Sequence, residues 1–239
     1  MNCWICGAIA DSGEHKIKKS LLKKVYSDDF KNKEMRHIKY GEETKLPGPN
    51  SNKIKFKKVI CSKCNNSRTQ SHDASFDIFI DFIIKHYELI NEKRIIDFKE
   101  IYGEKFPEQQ TNLFKYFVKI FGCDLSENNF IVPSDIVQLI DKTFFKTRLK
   151  ITFSINEQIV TSNSPTNLLY GNGYLITTDF NLNSRLEVDT KYRFEMNLSY
   201  LRVNFFYNTF TDIGLGSDWI ADKQYLYLGS SQEMNKEHI

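Results

Sequence analysis

The chain has 239 residues, of which 41% are hydrophobic and 26% are charged, so it carries enough apolar side chains for a sizeable core. This composition excludes an intrinsically disordered, collagen-like or disulfide-dense chain. The net charge of +3 is unevenly distributed, because residues 1–70 hold 16 Lys and Arg against 7 Asp and Glu while residues 71–239 are net acidic. A basic segment on an acidic body indicates a polyanionic partner, unless the lysines simply cover a solvated face.

The sequence also bears on the location of the protein. No stretch approaches the ~18 apolar residues that a membrane-spanning helix needs. The first residues, MNCWICGAIADSGEHK, lack the basic and apolar regions of a secretory signal. We therefore predict a cytoplasmic protein with no membrane partner. Structural disulfides are rare in that compartment, so its five cysteines need another explanation.

Four of these cysteines form two CxxC pairs that are 54 residues apart: Cys3, Cys6, Cys61 and Cys64. Either pair alone fits a redox dithiol, but two pairs together are typical of a tetrahedral zinc site. We predict a structural Zn²⁺ with four cysteine ligands, whose binding energy of about 10–16 kcal/mol would support a short segment with little core of its own. Cys123 follows the apolar stretch LFKYFVKIFG and is expected to be a small hydrophobic residue at a helix end.

Two segments with apolar and basic residues in alternation lie between the pairs. EHKIKKS follows the first pair and contains Glu14 and His15, while KIKFKKVI leads into the second pair, after which Asn65 comes directly. The alternation predicts two strands, with Ile54 and Phe56 on one face of the second and its lysines on the other.

The rest of the chain divides into a helical and a β-rich part. Apolar spacing predicts a helix over residues 74–93, another over 108–121, and a third over 134–147 with Ser134 or Asp135 as its N-cap. From Leu149 onward, β-branched and aromatic stretches such as LKITFSI, KYRFEMNLSYLRVNFFYN and QYLYLG predict strands, and GNG around Asn172 predicts a hairpin.

The order of a zinc knuckle, Glu-His on a strand, a second strand, CxxCN and a helix resembles the HNH (ββα-metal) endonucleases, in their four-cysteine EH…CxxCN branch. The resemblance covers about residues 1–75. It implies an N-terminal ββα-metal nuclease module (1–75). With the helical region (76–148) and the β-rich C-terminal region (149–239) that the residue pattern predicts, we expect an α+β fold. It also implies hydrolysis of phosphodiester bonds, with DNA as the expected substrate, in a phage-related or anti-phage setting.

The resemblance assigns roles to three residues. His15 would be the general base that activates water, since a neutral imidazole suits that task near pH 7. Glu14 and Asn65 would hold a catalytic ion, and oxygen ligands suit Mg²⁺ or Mn²⁺. Strand alternation points Glu14 and His15 to opposite faces, so both reach one site only if the strand bends, which Gly13 would allow.

The remaining ligand of this ion is unassigned, because Thr69 stands where many members of the family have a histidine. Asp73 and His72 are candidates. Asp73 can share the ion only if residues 65–72 form a loop, because a helix that begins at Asn65 would place it about 12 Å away along the axis. The other interpretation is that Asp73 is the N-cap of the helix that follows. His72 is more simply a surface residue or a phosphate contact.

Basic residues around this segment are predicted to contact nucleic acid without reading its sequence. They are Lys16, Lys18, Lys19, Lys55, Lys57, Lys63 and Arg68. The alternative is that the chain is a non-catalytic zinc-knuckle protein with a nucleic-acid-binding or regulatory function, in which the Glu-His pair is incidental. A third is a purely structural zinc domain. The C-terminal region is expected to select or sense something, through a regulatory partner or a homo-oligomer.

Overall fold

The computed structural model of the chain describes residues 1–26, 36–39, 42–48, 50–142, 146–161, 176–177 and 191–231. Within these ranges the chain is mixed α/β, as predicted. Its helices are α1 (Lys19–Tyr26), α2 (Gln70–Lys85), α3 (Tyr87–Lys93), α4 (Phe98–Tyr102), α5 (Phe106–Glu127), α6 (Ser134–Leu139) and α7 (Glu157–Val160). None of these described helices combines the length and the apolar character needed to cross a bilayer.

The strands form two sheets. They are β1 (Arg36–Lys39), β2 (Glu42–Lys45), β3 (Ile95–Asp97), β4 (Leu149–Asn156), β5 (Ile176–Thr177), β6 (Tyr192–Leu198), β7 (Leu201–Tyr207) and β8 (Tyr225–Ser231). The first two pair as a small antiparallel hairpin. The others form a six-stranded sheet in the order β3-β8-β4-β7-β6-β5, antiparallel except where β4 pairs with β8.

Helix α5 is the centre of the molecule. Every residue from Leu113 to Leu125 is buried, which is typical of a helix enclosed on all sides by other elements. It packs beside α2 and against the large sheet, where Phe117 contacts the rings of Phe153 and Trp219 edge-on. The apolar core runs continuously from the zinc-knuckle cysteines to the last strand.

The predicted helices are present with different limits. The helix predicted over 74–93 is two helices, α2 and α3, which meet at His86. The one predicted over 108–121 lies within the longer α5. The one predicted over 134–147 is only the short α6, and its N-cap position is held by Pro133.

The N-cap assignment to Ser134 or Asp135 is therefore wrong. The Asp135 carboxylate has other partners, since it accepts hydrogen bonds from the hydroxyls of Thr147 and Tyr207 and from the backbone amide of Arg148. These hydrogen bonds connect α6 to the beginning of β4 and to the end of β7.

The β-branched and aromatic stretches after Leu149 predict strands of the large sheet correctly. LKITFSI becomes β4, the long aromatic stretch becomes the hairpin β6–β7, and QYLYLG begins β8. The hairpin predicted at Asn172 lies outside the described residues.

Candidate metal centre and carboxylate cluster

The two CxxC pairs come together as predicted. The sulfur atoms of Cys3, Cys6, Cys61 and Cys64 all lie within 4.8 Å of one another. Four thiolates at that spacing suit the tetrahedral geometry of Zn²⁺. Among the described residues, no other group of three or more His, Cys, Asp or Glu side chains lies close enough to hold an ion. The cluster could therefore bind a structural metal such as zinc.

Local backbone geometry shapes the first knuckle. Gly7 has φ of +75°, a left-handed conformation that glycine adopts without strain, and its amide donates to the carbonyl of Cys3 at 2.8 Å. The amide of Cys3 donates to the carbonyl of Ala8 at 2.7 Å. This tight turn brings Cys3 and Cys6 to the same side of the backbone.

The second knuckle begins a helical segment. The Cys64 amide approaches the Cys61 sulfur at 3.4 Å, and the Arg68 guanidinium lies 3.6 Å from the Cys64 sulfur. Residues Cys64–Arg68 form a π-helical turn that continues into α2. Such turns occur often at functional sites, because they displace a side chain from its α-helical position.

The thiols differ in their tendency to ionise. Burial raises the pKa of Cys64 to about 12, whereas the backbone amide of Ala8 lowers the pKa of the exposed Cys6 to about 7. Burial also raises the pKa of Cys3. Buried thiols of this kind stay protonated unless a cation stabilises the thiolates, which is consistent with metal binding.

The knuckle is docked on α5 through Trp4. The indole nitrogen of Trp4 donates to the sulfur of Cys123 at 3.4 Å. A Cβ atom at Gly122 would lie 2.5 Å from Cζ2 of Trp4, so the indole occupies the space that a side chain would need. Cys123 is fully buried within α5 rather than at its end, and it serves as a small packing residue as predicted.

The two alternating segments are not the regular strands that the sequence predicts, because α1 already begins at Lys19 and Asn52–Ile54 form a 3-10 helix; they pair antiparallel only through isolated bridges. His15 and Lys55 form an isolated β-bridge, flanked by hydrogen bonds from Phe56 N to Glu14 O at 2.8 Å and from Lys16 N to Ile54 O at 2.9 Å. This pattern places the His15 and Lys55 side chains on the same face. At Gly13 a Cβ would lie 2.6 Å from the carbonyl oxygen of Phe56, so the close approach of the segments requires glycine.

The alternation also places Glu14 and His15 on opposite faces. Ile54 and Phe56 are buried, and Lys53 and Lys57 are exposed, as the sequence predicts for the second segment. Glu14 is buried and points to α5, where its Oε2 lies 3.0 Å from Nζ of Lys119.

Lys119 is the residue that the sequence did not predict. Its side chain is completely buried, and its Nζ lies 2.8 Å from Oδ1 of Asp73 as well as 3.0 Å from Glu14. Burial lowers its pKa, but the two carboxylates outweigh that effect and the pKa is raised, so Lys119 is a cation. Burial raises the pKa of Asp73, and Lys119 opposes that rise. We call Glu14, Lys119 and Asp73 the carboxylate cluster.

A signal for Lys119 is present in the sequence. Lys115 and Lys119 stand four residues apart in the otherwise apolar stretch LFKYFVKIFG, so both lie on one helix face. A lysine inside a helix that is apolar all round requires a buried partner, because an unpaired buried charge is costly. Its partners lie 46 and 105 residues away, where no local pattern indicates them.

Asn65 contacts the segment that contains Glu14. Its Nδ2 donates to the hydroxyl of Ser12 at 3.0 Å, two residues before Glu14. Its Oδ1 is buried and, within the part of the chain that the structure describes, has no hydrogen-bond partner. Such an oxygen is a suitable ligand for Mg²⁺ or Mn²⁺.

Asp73 is not a helix cap. Thr69 takes the N-cap position of α2, and Asp73 lies in its first turn, so the capping alternative is wrong. That Asp73 shares an ion with Asn65 stays a prediction; its Oδ1 lies 2.8 Å from Nζ of Lys119. His72 is buried at 3% exposure, so the expectation of a surface residue or phosphate contact is also wrong. Burial and the neighbouring lysines Lys115 and Lys119 lower its pKa to about 3.

Three of the seven basic residues predicted to contact nucleic acid are engaged within the chain. Lys16 pairs with Glu127, Lys18 pairs with Asp77, and Arg68 pairs with Asp141 through two nitrogens. The remaining four, which are half-buried or exposed, form no ion pair within the described ranges: Lys19, Lys55, Lys57 and Lys63.

Comparison of the chain with models of protein families, with curated proteins and with solved structures finds no match. What the residues themselves define is therefore a four-cysteine metal centre beside a buried carboxylate cluster.

Proposed function

We propose that the N-terminal segment is an HNH-type nuclease site that hydrolyses phosphodiester bonds in nucleic acid, with DNA as the expected substrate. Three features support it: the antiparallel pairing around His15 and Lys55, the four-cysteine centre, and the helix that follows the second knuckle. They occur in the order of a ββα-metal module. The phage-related setting stays a prediction.

The observation that carries the proposal is the buried Oδ1 of Asn65. A buried amide oxygen without a partner among the described residues is costly, and a cation would satisfy it. Glu14 lies two residues after Ser12, whose hydroxyl accepts from Nδ2 of Asn65, and Lys119 binds only the Oε2 of Glu14. Its Oε1 accepts no hydrogen bond from any residue that the structure describes. Glu14 and Asn65 together would hold Mg²⁺ or Mn²⁺, which when bound supplies positive charge to the phosphoryl group.

His15 would take the proton from the attacking water. It is half-buried beside Lys55, whose ammonium on the same face suits a phosphate of the nucleic-acid backbone. The base and the phosphate contact would then face outward, while the carboxylate lies on the inner side of the same strand. A substrate would have to reach both faces at the strand end near Gly13.

The test is cleavage of plasmid DNA by the purified protein with Mg²⁺ or Mn²⁺. His15→Ala should lose cleavage by about 10²–10⁴-fold, the usual effect of removing a general base, while it keeps the fold and the affinity for DNA. Asn65→Ala should instead raise the ion concentration needed for half-maximal rate. His86→Ala, at the junction of α2 and α3, is the matched control and should cut like the wild type. Equal cleavage by His15→Ala and the wild type would reject the proposal.

A second candidate is a zinc-knuckle protein that binds nucleic acid without cutting it. The Lys119 ammonium favours it, because a cation of the chain already binds both carboxylates. This candidate expects salt-dependent binding with no cleavage at any concentration of Mg²⁺ or Mn²⁺, and an unchanged affinity for DNA in His15→Ala.

A further inference from the structure

The carboxylate cluster places a fixed positive charge beside a predicted ligand of the catalytic ion. Nζ of Lys119 contacts one oxygen of Glu14 and one of Asp73, and both contacts are 3.0 Å or shorter. The lysine is fully buried, so it cannot touch a nucleic acid. Any effect of Lys119 on the reaction must therefore act through the carboxylates that it holds.

The charges around Glu14 nearly cancel. Lys119 offsets one of the two carboxylates of the cluster, and Lys18 is offset by Asp77, to which its ammonium lies 2.7 Å away. The net charge of these five side chains is −1. A divalent ion next to Glu14 would thus be attracted by one net negative charge instead of two, and repelled by an ammonium a few ångströms away.

We propose that Lys119 is a positioning residue that makes the divalent ion and the nucleic acid bind interdependently. This inference rests on the proposed function. Lys119 orients Glu14 and lowers the affinity of the empty protein for the ion. The phosphodiester adds a negative charge in place of the one that Lys119 offsets, so the ion binds tightly only together with the nucleic acid. Neither ligand then binds tightly alone, and the coupling is reciprocal.

The first experiment uses the zinc-loaded His15→Ala protein, so that DNA is bound but not cut. Free Mn²⁺ is measured by electron paramagnetic resonance during titration, with and without a short duplex DNA. We expect the affinity for Mn²⁺ to rise by about tenfold or more when the duplex is present, which is the coupling that an added unit charge close to the ion would give. An affinity that is the same with and without the duplex would overturn the inference.

The second experiment removes the charge in the same background. Lys119→Met should bind Mn²⁺ about tenfold or more tightly in the absence of DNA, because the repulsion is gone, and the duplex should add less. Lys119→Arg keeps the charge and should restore weak binding. Lys115→Met makes the same change one turn earlier on α5, away from Glu14, and is the matched control. If Lys119→Met and Lys115→Met bind Mn²⁺ alike, the inference is wrong.

The two proposals can fail separately. The first experiment needs no change at position 119, so it can overturn the inference even if Lys119→Met does not fold. Both experiments measure ion binding rather than cleavage. Coupling without any cleavage by the wild type would reject the nuclease and keep an ion-dependent binding site. Cleavage without coupling would keep the nuclease and reject the inference about Lys119.

Discussion

Two groups of acidic side chains lie near α5, and they would be neutralised in different ways. The cysteine cluster consists of four thiols, and the Arg68 guanidinium lies 3.6 Å from the sulfur of one of them, so four thiolates there would still need further positive charge from an ion. The carboxylate cluster contains Lys119, so its cation is part of the helix itself. The first would be stabilised by a bound metal, whereas the second is stabilised by the packing of α5.

The difference has a consequence for assembly. Glu14 finds its partner only when a helix 105 residues later has packed, whereas the cysteines are joined by an ion that both knuckles can bind once they meet. The long contact costs more loop-closure entropy than the short one. The same N-terminal segment would thus depend on a bound metal at one point and on the central helix at another.

The largest effect should follow from removing the external cation. We predict one tightly bound zinc per chain, and Cys64→Ser should lose it and give an unfolded or aggregating N-terminal segment, because zinc binding supplies folding energy. Metal analysis and limited proteolysis measure this. Cys123→Ala, a change to the cysteine outside the cluster, should retain the zinc. Protein purified without chelator that contains no zinc would contradict the prediction.

A smaller effect should follow from replacing Asp124, a buried carboxylate on α5 that forms no ion pair among the described residues. Burial raises the pKa of Asp124 to about 6 from its ordinary 3.8. The folded protein therefore binds this proton more tightly than the unfolded chain, so the stabilisation is full below pH 3.8 and is lost as the pH rises through 6.

Replacing this carboxyl should remove that loss. Between pH 5 and pH 8 the free energy of unfolding of Asp124→Asn should rise relative to the wild type by about 1.4 kcal/mol, at 1.36 kcal/mol per pH unit. Urea denaturation of the zinc-loaded proteins at both pH values measures it. Parallel pH profiles of the two proteins would show that the partners of Asp124 compensate its burial.

The smallest effect should come from the exposed cations. Lys55 and Lys57 lie on the outer face of their segment and form no ion pair among the described residues, so the double change to Glu should weaken DNA binding without unfolding the protein. The slope of log affinity against log salt should fall by about two units, and titration at several salt concentrations measures it. The same change at Lys93 and Lys105, exposed lysines in the helical region, should leave the slope unchanged. Unchanged binding in the Lys55/Lys57 variant would place the nucleic acid on another surface.

The parts of the molecule that could be predicted are those set by local pattern. Two CxxC pairs identify the metal centre because the spacing within each pair dictates a turn that brings both sulfurs to one side. Aromatic and β-branched residues after Leu149 predict β4 and the β6–β7 hairpin for a similar reason. The role of Asp135 could not be read from apolar spacing, because its carboxylate is bound by Thr147 and Tyr207 instead of capping the helix.

The carboxylate cluster could not be predicted because its members come from three distant segments. The resemblance to HNH endonucleases implied an ion beside Glu14, but nothing in the sequence indicated that α5 would place an ammonium there. His72 was misplaced for the same reason: its burial depends on α5 packing against α2, which is a property of the fold and not of the residues beside it.

The contact between Trp4 and Gly122 has a consequence for how this sequence can evolve. The indole fills the space that any side chain at position 122 would need, so the two positions share one volume. A larger residue at 122 is tolerated only after Trp4 has become smaller, and the two substitutions are strongly non-additive. Positions 4 and 122 should therefore change together, as a correlated pair that links the zinc knuckle to the central helix across more than a hundred residues.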